Sequence, residues 1–83
     1  MRKKQIKIFD YTAVFEKAEE GGYVVYVPTL PGCVTQGDTF EEAQKMVKDA
    51  IEGYISALKE LQEEIPKESE NVIITRIPAR LAV

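Results

Sequence analysis

Metal-assisted phosphodiester hydrolysis is the chemistry for which this sequence offers the most side chains. It requires several carboxylates converging on two divalent cations, and Asp10, Asp38, Glu41 and Asp49 are the candidates. Their placement argues against it. Asp10 falls on an expected first strand, but the last expected strand carries Thr75 and Arg76 where an acidic companion is needed. Glu41 and Asp49 fall on the outward side of an expected helix, so these acids read as ordinary surface carboxylates. Nucleophilic chemistry fares no better. Cys33 is the single cysteine and there is no histidine, so no base is at hand to activate it, and neither a disulfide nor a thiolate metal site can form within the chain. Cys33 reads instead as a small residue at a strand start. Ser56 has no base one helical turn away. The four tyrosines are not interleaved with basic residues and so form no base-stacking platform, and the cluster Arg2, Lys3, Lys4 and Lys7 reads as a solvated end. No catalytic residue, metal or cofactor is expected.

Those side chains sit on a chain of 83 residues, 45% apolar and 30% charged. This is one domain spanning 1–83 with a thin core. No apolar run approaches the length of a membrane span, and the start, MRKKQIKIFD, lacks the apolar stretch of a secretory signal. A cytoplasmic location is expected. The charge is uneven. Residues 1–17 carry five cations and two carboxylates (+3), residues 18–70 four lysines and twelve carboxylates (−8), and residues 71–83 two arginines (+2). An acidic body of this kind is the natural complement of a basic protein, or simply keeps a small domain soluble.

The periodicities predict an α+β fold. From Ile6 to Glu16, Tyr11, Ala13 and Phe15 alternate with their neighbours as in a strand with one buried face. Gly21 and Gly22 mark a hairpin loop. Tyr23 to Val27 is apolar on both faces, a central strand, ended by Pro28. Leu30-Pro31-Gly32 is a turn, and Cys33 to Gln36 a short third strand. Thr39 followed by Glu42 is a capping-box pattern. It opens a helix over 40–63, with Phe40, Ala43, Val47, Ala50, Ile51, Tyr54, Leu58 and Leu61 on one stripe. Pro66 follows, and Val72 to Ile77 is a final strand. The predicted order is a three-stranded antiparallel meander, one long helix, and a fourth strand parallel to the first, with spatial order 3-2-1-4. This is the opening half of a ribonuclease H-like fold. One sheet face, with Val14, Val24 and Tyr26, has nothing left in the chain to cover it, which predicts a homodimer or larger homo-oligomer.

The segment from Gly22 to Thr39, YVVYVPTLPGCVTQGDT after its glycine, resembles the hallmark of the HicB antitoxin family. Tyr11, Ala13 and Glu16, then Gly22, Tyr23 and Val25, then Leu30 to Thr39, then Glu42 and Ala43 follow that family's pattern. So do Asp49 to Tyr54 and Ile65-Pro66, and the resemblance spans roughly 11–77. It implies a partial ribonuclease H-like fold and a non-catalytic antitoxin of a type II toxin–antitoxin pair. The implied partner is a HicA-like toxin, a small basic mRNA-cleaving ribonuclease whose active surface the antitoxin covers. Many members carry a C-terminal helix-turn-helix or ribbon-helix-helix domain. After Ile77 no helix is left to build one, so autonomous DNA binding is not expected.

Within the motif, Pro31, Gly32, Cys33, Gly37 and Thr39 read as fold-specifying: a turn, a positive-φ step, a strand start, a sharp entry to the helix and its cap. The candidate toxin-binding residues are the acids Glu19 and Glu20 in the hairpin loop and Asp38, Glu41 and Glu42 at the helix start. The competing reading is an oligomeric HicB-like domain with a regulatory or nucleic-acid-associated role and no toxin partner.

Overall fold

A computed structural model describes residues 5–83. Arg2, Lys3 and Lys4 of the basic start lie outside the described residues. Three strands, β1 (Val14–Lys17), β2 (Tyr23–Tyr26) and β3 (Val34–Gly37), precede one helix, α1 (Phe40–Glu60). The sheet is an antiparallel meander in the order β1-β2-β3, with Val14 opposite Tyr26 and Tyr26 opposite Val34. Gly21, Gly22 and Gly32 all take positive φ, at the hairpin and at the β2–β3 turn where chain reversal was expected.

Alternation along the strands decides the two sheet faces. Phe15, Tyr23 and Val25 point toward α1, which lies across β2 and β3. Val25, Val27, Leu30, Cys33, Ala43 and Val47 form the buried core. Tyr11, Ala13, Phe15, Tyr23, Ala50, Ile51, Tyr54 and Ile55 pack around it. Phe40 closes the helix start over the hairpin, its ring 4.8 Å from that of Phe15 and 5.8 Å from that of Tyr23. On the opposite face the row Val14–Tyr26–Val34 has no covering layer among the described residues.

The helix cap is where the sequence places it. The Glu42 amide donates to Thr39 Oγ1 at 3.0 Å, and Glu41 and Glu42 sit at the positive end of the helix dipole. The other end is earlier than expected, at Glu60 rather than Glu63. Gln62 takes a left-handed conformation (φ 57°). The Glu63 amide then reaches back to the Leu58 carbonyl and the Gln62 amide to that of Lys59. This is a Schellman closure without its usual glycine, and it leaves Leu61 exposed. Gly53, by contrast, has open space where a side chain would stand, so no close packing contact explains it. Gly53→Ala is expected to stabilise the protein by about 1 kcal/mol through helix propensity alone, read as a higher midpoint in thermal or urea melts.

Two strand expectations need correction. β1 begins at Val14 instead of Ile6, because its ladder runs against β2, and the register puts Pro28, which has no N–H, opposite Thr12. The expected fourth strand, Val72 to Ile77, is not formed among the described residues. The chain after α1 is instead held at Glu68, as described below. Val72, Ile73, Ile74 and Ile77 are left 63–88% exposed. The molecule measures 68 × 32 × 21 Å with a radius of gyration of 16.4 Å, against about 12 Å for a compact chain of this length.

Candidate partner surface

The β2–β3 connection turns twice in seven residues. The Leu30 amide donates to the Val27 carbonyl, the Cys33 amide to the Leu30 carbonyl, and the Val27 amide to the Cys33 carbonyl. This drives the Leu30 side chain into the core and leaves Pro31 and Gly32 at an exposed tip. The Tyr54 hydroxyl donates to the Pro31 carbonyl at 2.9 Å, tying that tip to α1. Cys33 is buried, and burial pushes its thiol above the ordinary cysteine value. That disfavours the thiolate a nucleophile needs. Gly37 lies beneath the start of α1 and Thr39 caps it.

The acidic residues are exposed, as a partner surface requires. The hairpin folds back against the end of β3. Glu20 and Asp38 thereby line one cleft of about 230 Å³ together with Tyr23, Val24 and Gln36. Glu41 and Glu42 follow on the first turn of α1. Glu19 occupies the same hairpin but does not line the cleft. The structure thus brings Glu20 and Asp38 to one cleft across 18 residues of sequence, while Glu19, Glu41 and Glu42 do not line it.

A second carboxylate site escaped sequence reading. Glu68 accepts hydrogen bonds from the Thr12 amide, from Thr12 Oγ1 at 2.8 Å and from Thr29 Oγ1 at 3.2 Å. Beside it the Tyr11 hydroxyl donates to the Pro66 carbonyl at 2.6 Å. The segment after α1 is thereby clasped to the approach to β1 and to the β2–β3 turn. Partial burial pushes the Glu68 carboxyl up, but the three hydrogen bonds outweigh it and hold the group below its ordinary value of 4.5. Burial, and then the Glu68 charge, raise Tyr11 above 10.0. Because the Glu68 value is lower in the folded than in the unfolded chain, its stabilisation is present above pH 4.5 and lost as the pH falls through the folded value. Glu68→Gln should lower the melting midpoint at neutral pH and flatten its fall on acidification. An acid limb as steep as that of the wild type would remove Glu68 as its cause.

Among the described residues no group of three or more His, Cys, Asp or Glu comes together as a metal site, so the carboxylates considered for nuclease chemistry do not converge. No helix among them is long and apolar enough to cross a membrane. A UPF0150 protein of Thermoplasma acidophilum is 49% identical over 63 residues, covering 76% of this chain and 91% of that protein. A second UPF0150 protein, from Synechocystis, is 47% identical over 62 residues, covering 75% and 78%. Antitoxin HicB 1 of Photorhabdus laumondii is 44% identical over 61 residues, which are 74% of this chain and 39% of that longer protein. The family described as HicB-like antitoxin of bacterial toxin–antitoxin systems matches residues 11–78, from the tyrosine that bonds Pro66 to the proline after Ile77. With motif, hairpin, capped helix and clasp all inside that span, the chain belongs to the HicB-like antitoxin family, a non-catalytic one.

Proposed function

We propose that this protein neutralises a small, basic, HicA-like mRNA-cleaving ribonuclease in the cytoplasm by lying over its active surface. The observation that carries the reading is the cleft lined by Glu20 and Asp38, with Glu19, Glu41 and Glu42 also exposed, on a scaffold that matches an antitoxin family. A ribonuclease active surface is positive because it binds phosphates. A rigid, negative, exposed rim competes for that charge directly and steers the encounter. The three-stranded sheet and its helix serve as a partial ribonuclease H-like scaffold without catalytic groups. The uncovered row Val14–Tyr26–Val34 and the open edge of β1 are the surfaces on which the chain self-associates.

The test is co-expression with the product of the adjacent reading frame. A complex that survives purification and suppresses RNA cleavage is expected. A free, fully active ribonuclease in the presence of excess chain would end the proposal. Replacing the five acids by lysine should slow association by about 10- to 1000-fold at low salt and flatten its salt dependence. The helix signal in circular dichroism serves as the folding control, since Asp38, Glu41 and Glu42 also support the helix start. Unchanged association would take these five residues out of the interface.

A further inference from the structure

We propose that the fourth strand of the sheet comes from a second copy of this chain: Val72–Ile77 of one protomer pairs, parallel and reciprocally, along the free outer edge of β1 of the other. Three observations lead there. The segment has strand-forming chemistry, Val-Ile-Ile-Thr-Arg-Ile, yet its four aliphatic side chains stand 63–88% exposed. Such a run is stable in water only when paired or covered. β1 is at one end of the sheet order, and its outer edge offers unpaired amides and carbonyls. The Glu68 clasp, lastly, holds the start of the segment at the end of the sheet in its own chain, where it does not join the β1 ladder. Glu68 is bound to both Thr12 and Thr29, and Val72 and Ile74 then line a cleft of about 260 Å³ with Thr12, Pro28 and Thr29, across the end of the sheet.

Charge favours the β1 edge and, with Ile74 beside Val14, the parallel direction. With Ile74 set beside Val14, a parallel strand brings Arg76 beside Glu16. An antiparallel strand in the same position would put Arg76 beside Thr12 and Val72 beside Glu16, with no charge matched. The edge formed by β3, Val34–Gly37, carries no carboxylate at all. In the parallel register Ile74 extends the uncovered row through Val14, Tyr26 and Val34. Ile73 and Ile77 fall on the helix side, next to Phe15. Exchange of a terminal strand between identical protomers is a closed, two-fold arrangement. It yields the spatial order 3-2-1-4 that the sequence predicts, but across two chains.

The inference deepens the self-association part of the proposed function and involves no ribonuclease, so either can fail without the other. The experiment uses the full chain alone. Light scattering on a sizing column should give twice the 9.4 kDa chain mass. The double substitution Ile73→Pro/Ile74→Pro removes a ladder amide whichever alternate set faces β1, but is harmless in an unpaired extended segment. It should weaken the dimer at least about a hundredfold and leave the helix signal unchanged. Isotope-filtered NOEs in an equal mixture of labelled and unlabelled chains should connect Ile73 and Ile77 methyls of one chain to the Phe15 ring of the other. A wild-type monomer, a dimer indifferent to Ile73→Pro/Ile74→Pro, or contacts confined to one chain would each overturn the proposal.

Discussion

Alanine at Gly37 is expected to cost the fold about 3 kcal/mol, the upper end of what overpacking inflicts. Gly37 is the last residue of β3 and is buried under the first turns of α1. A Cβ there would stand 2.5 Å from the Ala43 amide nitrogen, 2.8 Å from its Cα and 2.9 Å from the Glu42 carbonyl carbon. All three are backbone atoms, so no rotamer change relieves the contact. The helix start must lift off the sheet, which opens the core at Ala43 and Val47 and pulls on the Thr39 cap. A chain of this size has a total stability of about 4–12 kcal/mol, so the loss is a large share of it. The melting midpoint should fall by about 10–25 °C. Gly37 does not take a positive φ, so no backbone strain of that kind adds to the clash. A loss below about 1 kcal/mol would sink the packing argument.

The contrast between Gly37 and the fourth strand shows what sequence reading captures here. The cap at Thr39, the glycine hairpin and the α1 stripe from Ala43 to Tyr54 depend on neighbours three to five residues away, so spacing reveals them. The Val72–Ile77 segment shows equally clear strand chemistry, but a strand also needs an edge. The segment starts from Glu68, whose partners lie 56 and 39 residues earlier in the chain. Nothing in a run of acids such as Glu63, Glu64, Glu68 and Glu70 marks one of them as a clasp. The overlong first strand fails for a related reason, since only the register reveals that Pro28 stands opposite Thr12. The five candidate acids were legible as exposed charge at a turn and a helix start. That Glu20 and Asp38 share a cleft follows from the hairpin folding onto the end of β3, a tertiary fact that no motif spacing encodes.

Leu30→Ala should be comparably damaging, at about 2–5 kcal/mol, by a different route. Leu30 is fully buried in a core of six buried residues among those described, so there is little neighbouring mass to collapse into the space left behind. Its backbone also holds both turns of the β2–β3 connection, through the Val27 carbonyl and the Cys33 amide. Loosening the side chain therefore loosens the tip that Tyr54 ties to α1. Urea melts should show a lower midpoint with a near-normal slope if the loss is a cavity in an otherwise intact fold. Partner binding should then decline only with the folded fraction, because Leu30 presents no surface to a partner. Binding lost in a variant still fully folded would instead mean that the Pro31–Gly32 tip, shaped by Leu30 from beneath, belongs to the contact surface itself.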